Sequence, residues 1–412
     1  MKEKRVLFIG LVWPEPTSSA AGFRMMQLIE TFLDRSYQIT FASAAAKSPY
    51  SAPLKSRGIT EQAIVLNSDS FDEFIAWLQP DIVVFDRFMV EEQYGWRVAQ
   101  QCPDALRVLD TEDLHFLRQA RQTCVKNKDD FSFQELFTDT AKREIASILR
   151  CDLSLIISES EMKILTEVFR ISPDILYYLP FLEDEITADQ TNAWKSFEER
   201  GNLLFIGNFI HEPNWHTVQY LKTTIWPVLR KMLPKVELHI YGAYPTQKVL
   251  QLHNPKENFH IKGRTDSAKD TMSNYRLLIA PIQFGAGVKG KFIDAMHTGT
   301  PTVTTSIGAE AMKGNLSWNG FIEDEPEAFC QKTLALYNDK VVWATAQSNG
   351  IRIINERYEK RKYQADFMTN LSLLKVQLDK HRQHNFISQI LLHHTVQSTK
   401  YMSLWIAEKN KV

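Results

Sequence analysis

Residues 280–296, Ala-Pro-Ile-Gln-Phe-Gly-Ala-Gly-Val-Lys-Gly-Lys-Phe-Ile-Asp-Ala-Met, place three glycines and two lysines between a strand-like run and a helix-like one. Glycines let backbone amides approach a ligand closely, and a helix N-terminus carries partial positive charge. Together they make an anion site suited to phosphate. Lys289 and Lys291 add full charges. Two residues apart at a helix entry, they cannot share one direction, and Lys289, nearer the turn, is expected to face the anion. Gly285, Gly290 and Lys291 fit the P-loop spacing G-x-x-x-x-G-K. Phe292 stands where that motif needs Ser or Thr to hold magnesium, which argues against a nucleoside triphosphatase. Neither Gly10 nor Gly207 opens a G-x-G-x-x-G, which argues against a dinucleotide dehydrogenase.

Three further clusters lie just past strand-like runs. Residues 12–24 crowd small residues before a helix, with Ser19, Gly22 and Arg24 as candidates for another anion or hydroxyl site. Residues 109–118 bring Asp110, Glu112, Asp113 and His115 together. Carboxylates crowded at a strand end are costly unless solvated, paired or used, so Asp113 and His115 are expected to line a cleft. Asp86, beside Arg87, is a candidate on the same grounds. No metal site is expected, because the eleven histidines are scattered without H-x-x-x-H, HExxH or a literal D-x-D. The four cysteines form no C-x-x-C, so neither a disulfide scaffold nor a zinc knuckle is expected.

The elements that must hold these residues follow from the apolar pattern. Short apolar runs at 6–9, 38–41, 81–85, 105–109 and 153–157 read as buried parallel strands alternating with helices. A second series follows at 203–206, 236–241, 258–261, 277–280 and 302–304. Val6-Leu7-Phe8-Ile9-Gly10 is echoed by Leu203-Leu204-Phe205-Ile206-Gly207, and the polar stretch 180–201 reads as a linker between them. Ser158-Glu159-Ser160-Glu161 reads as a capping box. From about 340 onward strand signals vanish, and 344–380 and 385–409 read as long helices. The expected architecture is α/β: two Rossmann-like doubly wound domains, 1–185 and 200–340, facing a cleft, with helices 341–412 packing back on the first. The apolar set Phe386, Ile387, Ile390, Leu391 and Trp405 is expected in that core.

Composition sets the outer bounds. The chain has 412 residues, 48 Lys+Arg and 49 Asp+Glu. Near-zero net charge gives no ground for nucleic-acid binding. No apolar run reaches the roughly 18 to 20 residues needed to span a bilayer, and no signal-peptide core is visible. A cytoplasmic protein is expected. Residues 351–412 hold 11 Lys+Arg against 5 Asp+Glu, a net of +6, so peripheral contact with an anionic membrane face is the alternative to a plain solvated helical surface.

The segment from Gly285 to Met296, with Gly299-Thr300-Pro301-Thr302-Val303-Thr304-Thr305 and Gly308-Ala309-Glu310, resembles the donor-binding signature of group 1 glycosyltransferases of the GT-B fold. Residues 204–214, Leu-Phe-Ile-Gly-Asn-Phe-Ile-His-Glu-Pro-Asn, resemble the opening of that family's C-terminal domain. The resemblance covers about 200–310 and implies a metal-independent, retaining enzyme. Such an enzyme moves a sugar from a nucleotide-diphosphate sugar to a glycan, lipid-linked or small-molecule hydroxyl, with no further cofactor. It implies donor contacts from Gly207, Asn208, Arg264, Gly285, Gly287, Lys289, Lys291 and Asp294, the last standing where the family has a ribose-binding Glu. Catalytic roles would fall to Asp113, His115 and Lys289. The Glu expected eight residues before Asp294 is Ala286, and Asn208 stands where many members have Arg. The missing Glu is the family's usual contact to the donor sugar, so the resemblance assigns no particular sugar. These departures leave two other readings: a non-catalytic nucleotide-sugar or glycan binder on this scaffold, and a sugar-nucleotide epimerase.

Overall fold

The computed structural model describes residues 4–411, apart from the side chains of 394–397. Strands β1 (Arg5–Gly10), β2 (Gln38–Ser43), β3 (Thr60–Ala63), β4 (Ile82–Asp86), β5 (Leu106–Asp110), β6 (Leu153–Ile156) and β7 (Leu176–Tyr178) form one sheet. Strands β8 (Gly201–Ile206), β9 (Leu238–Tyr241), β10 (Phe259–Gly263), β11 (Tyr275–Ala280), β12 (Thr302–Thr304) and β13 (Gly320–Ile322) form the other. Every pairing is parallel. The orders are β3-β2-β1-β4-β5-β6-β7 and β10-β9-β8-β11-β12-β13. The second sheet repeats the winding of the first six strands, and the echoed segments are its counterpart central strands, β1 and β8. In both sheets the order reverses beside the central strand, which opens a crevice at the strand C-termini.

The strands not foreseen, β3, β7 and β13, are all at sheet edges. Thr60-Glu61-Gln62-Ala63 is polar because an edge strand buries little, and β13 has three half-buried residues. Neither offers the apolar run that marks a central strand.

Seven helices carry the argument: α1 (Ala20–Leu33), α2 (His115–Asn127), α3 (Gly290–His297), α4 (Lys340–Arg357), α5 (Lys360–Val376), α6 (Leu378–His384) and α7 (Phe386–Lys409). The helical region divides later than 341. Trp343, Ala346, Ile353, Ile354 and Tyr358 are buried in the second domain's core, so α4 belongs there. The chain then crosses beside the linker: the Glu183 amide donates to Tyr358 O (2.8 Å) and the Lys360 amide to Glu183 O (2.9 Å). Phe367, Met368, Leu371 and Leu378 complete the first domain's core, with Phe367 edge-on to Phe32 at 6.2 Å. Arg382 grips the Asp152 carboxylate at 2.7 and 2.8 Å.

Helix α7 corrects the expectation of an apolar core. Among its described side chains Ser388 and Ser403 are the buried ones, and Ser388 Oγ donates to Arg150 O (3.1 Å). Phe386, Ile387, Ile390 and Trp405 are exposed, Trp405 at 60%, together with Tyr401 and Met402. At about 100° per residue these six spread over roughly 160° of the helix surface, and the small serines outside that arc let the helix lie close to the protein.

Candidate active site

The C-terminal ends of the two sheets face each other across a cleft of about 970 Å³. Strand β11 runs out into residues 281–289, and Lys289 is the last residue before α3. Its Nζ donates to Gly287 O (3.0 Å). Lys291 also lines the cleft but takes a different direction, its Nζ donating to Asn214 Oδ1 (2.7 Å) and lying 4.3 Å from the centre of the Phe205 ring. Burial pushes Lys289 down to about 8, against the upward pull of the Glu310 carboxylate. Burial, with repulsion from Lys289, pushes Lys291 down to about 7. The two lysines diverge as their spacing requires. Phe292 is fully buried, edge-on to Trp318 at 5.4 Å, so the P-loop's metal position is a core position here.

The glycine loop is held from the other domain. Gly287 has φ +63°, and a Cβ there would lie 2.9 Å from Asp113 Cβ, so only glycine fits both the backbone and the space. Its amide donates to Glu161 Oε1 (2.8 Å), which also accepts from the Leu114 amide (3.0 Å). This corrects the capping-box reading. Ser158 makes no cap bond, and Glu161, at 0% exposure, crosses the domain interface instead. Burial and the neighbouring Asp113 charge push Glu161 up to about 8. Arg121 of α2 donates to Gly285 O (2.8 Å) and forks onto Glu310 with two 2.7 Å bonds.

Asp113 and His115 do line the cleft. Against the upward push of burial, Arg118 and His115 hold the Asp113 carboxyl well below its usual range. It therefore stays anionic at neutral pH. Glu144 accepts the His115 and Phe116 amides (3.1 and 3.0 Å) and so satisfies the start of α2. It also lies 3.3 Å from His115 Nδ1, and Asp113 O lies 3.2 Å from it. Nδ1 is thus engaged, and Nε2 is the nitrogen left for a ligand. Arg87 (φ +71°) and Glu112 (φ +63°) occupy left-handed backbone at the ends of β4 and β5 and also line the cleft. Burial beside Asp110 raises the Glu112 carboxyl well above its usual range.

The remaining candidates separate. Gly207 is packed on Asn214, whose side-chain amide donates to Asn208 O (2.9 Å), so the end of β8 and Lys291 share one support. Arg264 spans the cleft mouth: it donates to Asp266 Oδ1 (2.8 Å) and to Thr17 Oγ1 of the first domain (3.0 Å), over the Tyr50 ring. Asp294 lines the cleft 3.8 Å from Lys269 Nζ, and burial pushes it up to about 6. Ser19 caps α1 by accepting from the Gly22 amide (3.0 Å). A Cβ on Gly22 would meet the Glu15 backbone at 2.5 Å, so glycine lets the preceding loop fold over the helix. Asp86 lines the cleft and accepts from the Leu11 amide (3.0 Å).

Arg24 is a correction: at 1% exposure it is paired with Asp110 (2.9 Å) and donates to Leu179 O (2.9 Å). It ties α1 to the strand ends and does not line the cleft. Glu161, Arg121, Glu144 and Arg118 were not foreseen. Each acts through partners 5 to 189 residues away, and no local spacing encodes that.

Residues 200–339 match the family model described as glycosyl transferases group 1. An uncharacterized 44.6 kDa protein in the cps region of Klebsiella pneumoniae is 24% identical over 168 residues, and that match spans 39% of this chain and 43% of the relative. Alr3699/HepE from Anabaena, solved in complex with UDP-glucose, superposes with a TM-score of 0.66 at 13% identity over 90% of this chain and all of that one. WaaG, a glycosyltransferase involved in lipopolysaccharide biosynthesis, gives 0.55 at 14% over 88% and 98%. The fold is that of the GT-B glycosyltransferases. Within that fold, residues 200–339 are similar to the group 1 glycosyl transferases.

Proposed function

We propose that this chain transfers a sugar from a nucleotide-diphosphate sugar to an acceptor hydroxyl on a glycan, lipid-linked or small molecule, with retention and without a metal in the reaction. One observation carries this reading. A glycine loop, a helix N-terminus and two lysines whose ammonium groups donate to neutral oxygens face an interdomain cleft, opposite the Asp113–His115 cluster. The diphosphate would lie against the Gly285–Gly287 loop and the start of α3, with Asp294 and Arg264 towards the nucleoside. As the glycosidic bond breaks, negative charge grows on the leaving diphosphate. Lys289 stabilises that charge more than the ground state. His115 Nε2 and Glu112 would orient an acceptor hydroxyl, whose proton would pass to the departing diphosphate. Acceleration would come from positioning and electrostatics rather than from a protein nucleophile.

The test is a thermal-shift screen of UDP-, GDP- and ADP-sugars, followed by product analysis with and without EDTA. A ligand at about 100 times its Kd should add roughly 2.7 kcal/mol. Donor turnover that survives EDTA supports the reading, and loss of nucleotide binding in EDTA that magnesium or manganese restores and zinc does not defeats its metal-free part. Binding with no hydrolysis or transfer would favour the non-catalytic binder, and epimerised donor would favour the epimerase.

The same reading includes a membrane contact through α7. The exposed stripe of Phe386, Ile387, Ile390, Tyr401, Met402 and Trp405 joins an apolar face to a region of net charge +6, the combination that binds anionic lipid interfaces. No helix among the described residues is long and apolar enough to cross a membrane. Vesicles containing anionic lipid should co-sediment the protein, and Trp405→Ser with Phe386→Ser should release it. Equal binding to neutral vesicles would refute the electrostatic part.

A further inference from the structure

A cluster far from the cleft has a ligand-like arrangement that no motif announced. Glu237 and His239 stand two residues apart at the start of β9, so their side chains share one face. His260 of β10 is the register partner of His239. The ligating atoms of the three lie within 4.8 Å of one another. Glu237 Oε2 is 2.6 Å from His239 Nε2 and 3.8 Å from His260 Nε2. His239 is nearly buried, His260 is partly so, and Glu237 opens to solvent at 40% side-chain exposure.

A proton can be shared only between Glu237 and His239. His260 Nε2 is then left buried without a hydrogen-bond partner, which is costly. A cation at the centre would take all three atoms. Tetrahedral zinc at about 2.0–2.1 Å from each ligand needs donor atoms about 3.4 Å apart, close to the mean of the two separations. The surroundings fit as well. His239 Nδ1 is 2.6 Å from Tyr275 Oη, which is 2.9 Å from Tyr241 Oη. A bond at the far ring nitrogen fixes the tautomer and aims Nε2 at a metal. Lys262 is the opposing charge nearby and disfavours additional positive charge. His253, its ring edge-on to His260, is tied through Nδ1 to the Ile261 amide (3.1 Å).

The geometry points to a divalent transition-metal site, best suited to zinc, formed by Glu237, His239 and His260, with a fourth position open to water. Two imidazoles and one carboxylate form a borderline donor set, which disfavours magnesium and calcium. The site lies at the strand N-termini, on the opposite side of the sheet from the cleft. It would staple the edge strand β10 to β9, and β10 leads through Gly263 into Arg264 at the cleft mouth.

The test uses the full chain stripped with a chelator and then titrated with Zn²⁺ by calorimetry. One equivalent should bind and raise the melting temperature. Co²⁺ in its place should give the intense visible absorption of a tetrahedral site. Glu237→Gln and His260→Ala should each abolish stoichiometric binding, while His253→Ala should retain it. Tyr275→Phe should weaken affinity about 10- to 100-fold. Glu237 is exposed enough that its variant folds, and circular dichroism without metal checks the others. No binding by the native chain overturns the site, and so does unchanged binding in both ligand variants.

Discussion

Lys291 offers a measurable consequence of burying a cation. With its ammonium pushed down to about 7 by burial and the neighbouring Lys289, about half the molecules carry that charge at pH 7 and about one in a hundred at pH 9. A bound diphosphate stabilises the charged form, so binding at high pH takes a proton from solution. Donor affinity must therefore fall as pH rises through the free-state value. With the bound lysine fully charged, the loss between pH 7 and pH 9 is about 50-fold, ~2.3 kcal/mol. Lys289, at about 8, adds up to about tenfold at the upper end of the range. The assay is the Kd of a nucleotide-diphosphate sugar by calorimetry at pH 6, 7, 8 and 9 and constant ionic strength. A sugar diphosphate is the right probe because neither phosphate titrates in that range. Lys291→Met should bind more weakly at pH 6 and lose most of the slope, leaving the shallower fall due to Lys289. A flat native profile, or a native-like slope in Lys291→Met, would refute the placement of this lysine beside the diphosphate.

Three other outcomes follow from particular contacts. Gly287→Ala forces a left-handed backbone costing roughly 1–2 kcal/mol and a clash with Asp113, so it should weaken donor binding at least tenfold. Gly285→Ala, whose nearest protein neighbour is 3.6 Å away, keeps the fold, so any loss of donor binding there reads contact with the donor itself; native-like binding in both variants would count against the loop assignment. Glu161, at about 8 when folded and near 4.5 when unfolded, holds a proton in the folded state that the unfolded state releases. Its contribution to stability is full below about pH 4.5 and is lost as pH rises to about 8. Glu161→Gln keeps an oxygen for the Leu114 and Gly287 amides, so it should flatten the decline in melting temperature between pH 5 and 8; an unchanged slope would place the titrating group elsewhere. Phe367→Ala should cost about 3–5 kcal/mol and release α5–α7 from the first domain, seen as faster hydrogen exchange there. Exchange confined to α4 would contradict the division of the helical region at Tyr358.

The sequence alone was enough for the two parallel sheets, because buried central strands must be apolar on both faces and so read as runs such as Val6–Ile9 and Leu203–Ile206. It was enough too for the glycine loop with its lysines, since turn, charge and helix start are adjacent in the chain. Edge strands stayed hidden because a half-exposed strand has no apolar run. Helix α7 was misread because periodicity shows that a helix has an apolar stripe but not whether protein or solvent covers it. Arg24 and Glu161 are the sharper cases: each looked local, and each finds its partner in a distant segment, Asp110 and Gly287. The His239–His260 pair is created by strand register, which joins residues 21 positions apart. Spacing along the chain carries only the chemistry of neighbours. The rest depends on which surfaces the fold brings into contact, where burial sets protonation and orphaned polar atoms must find partners.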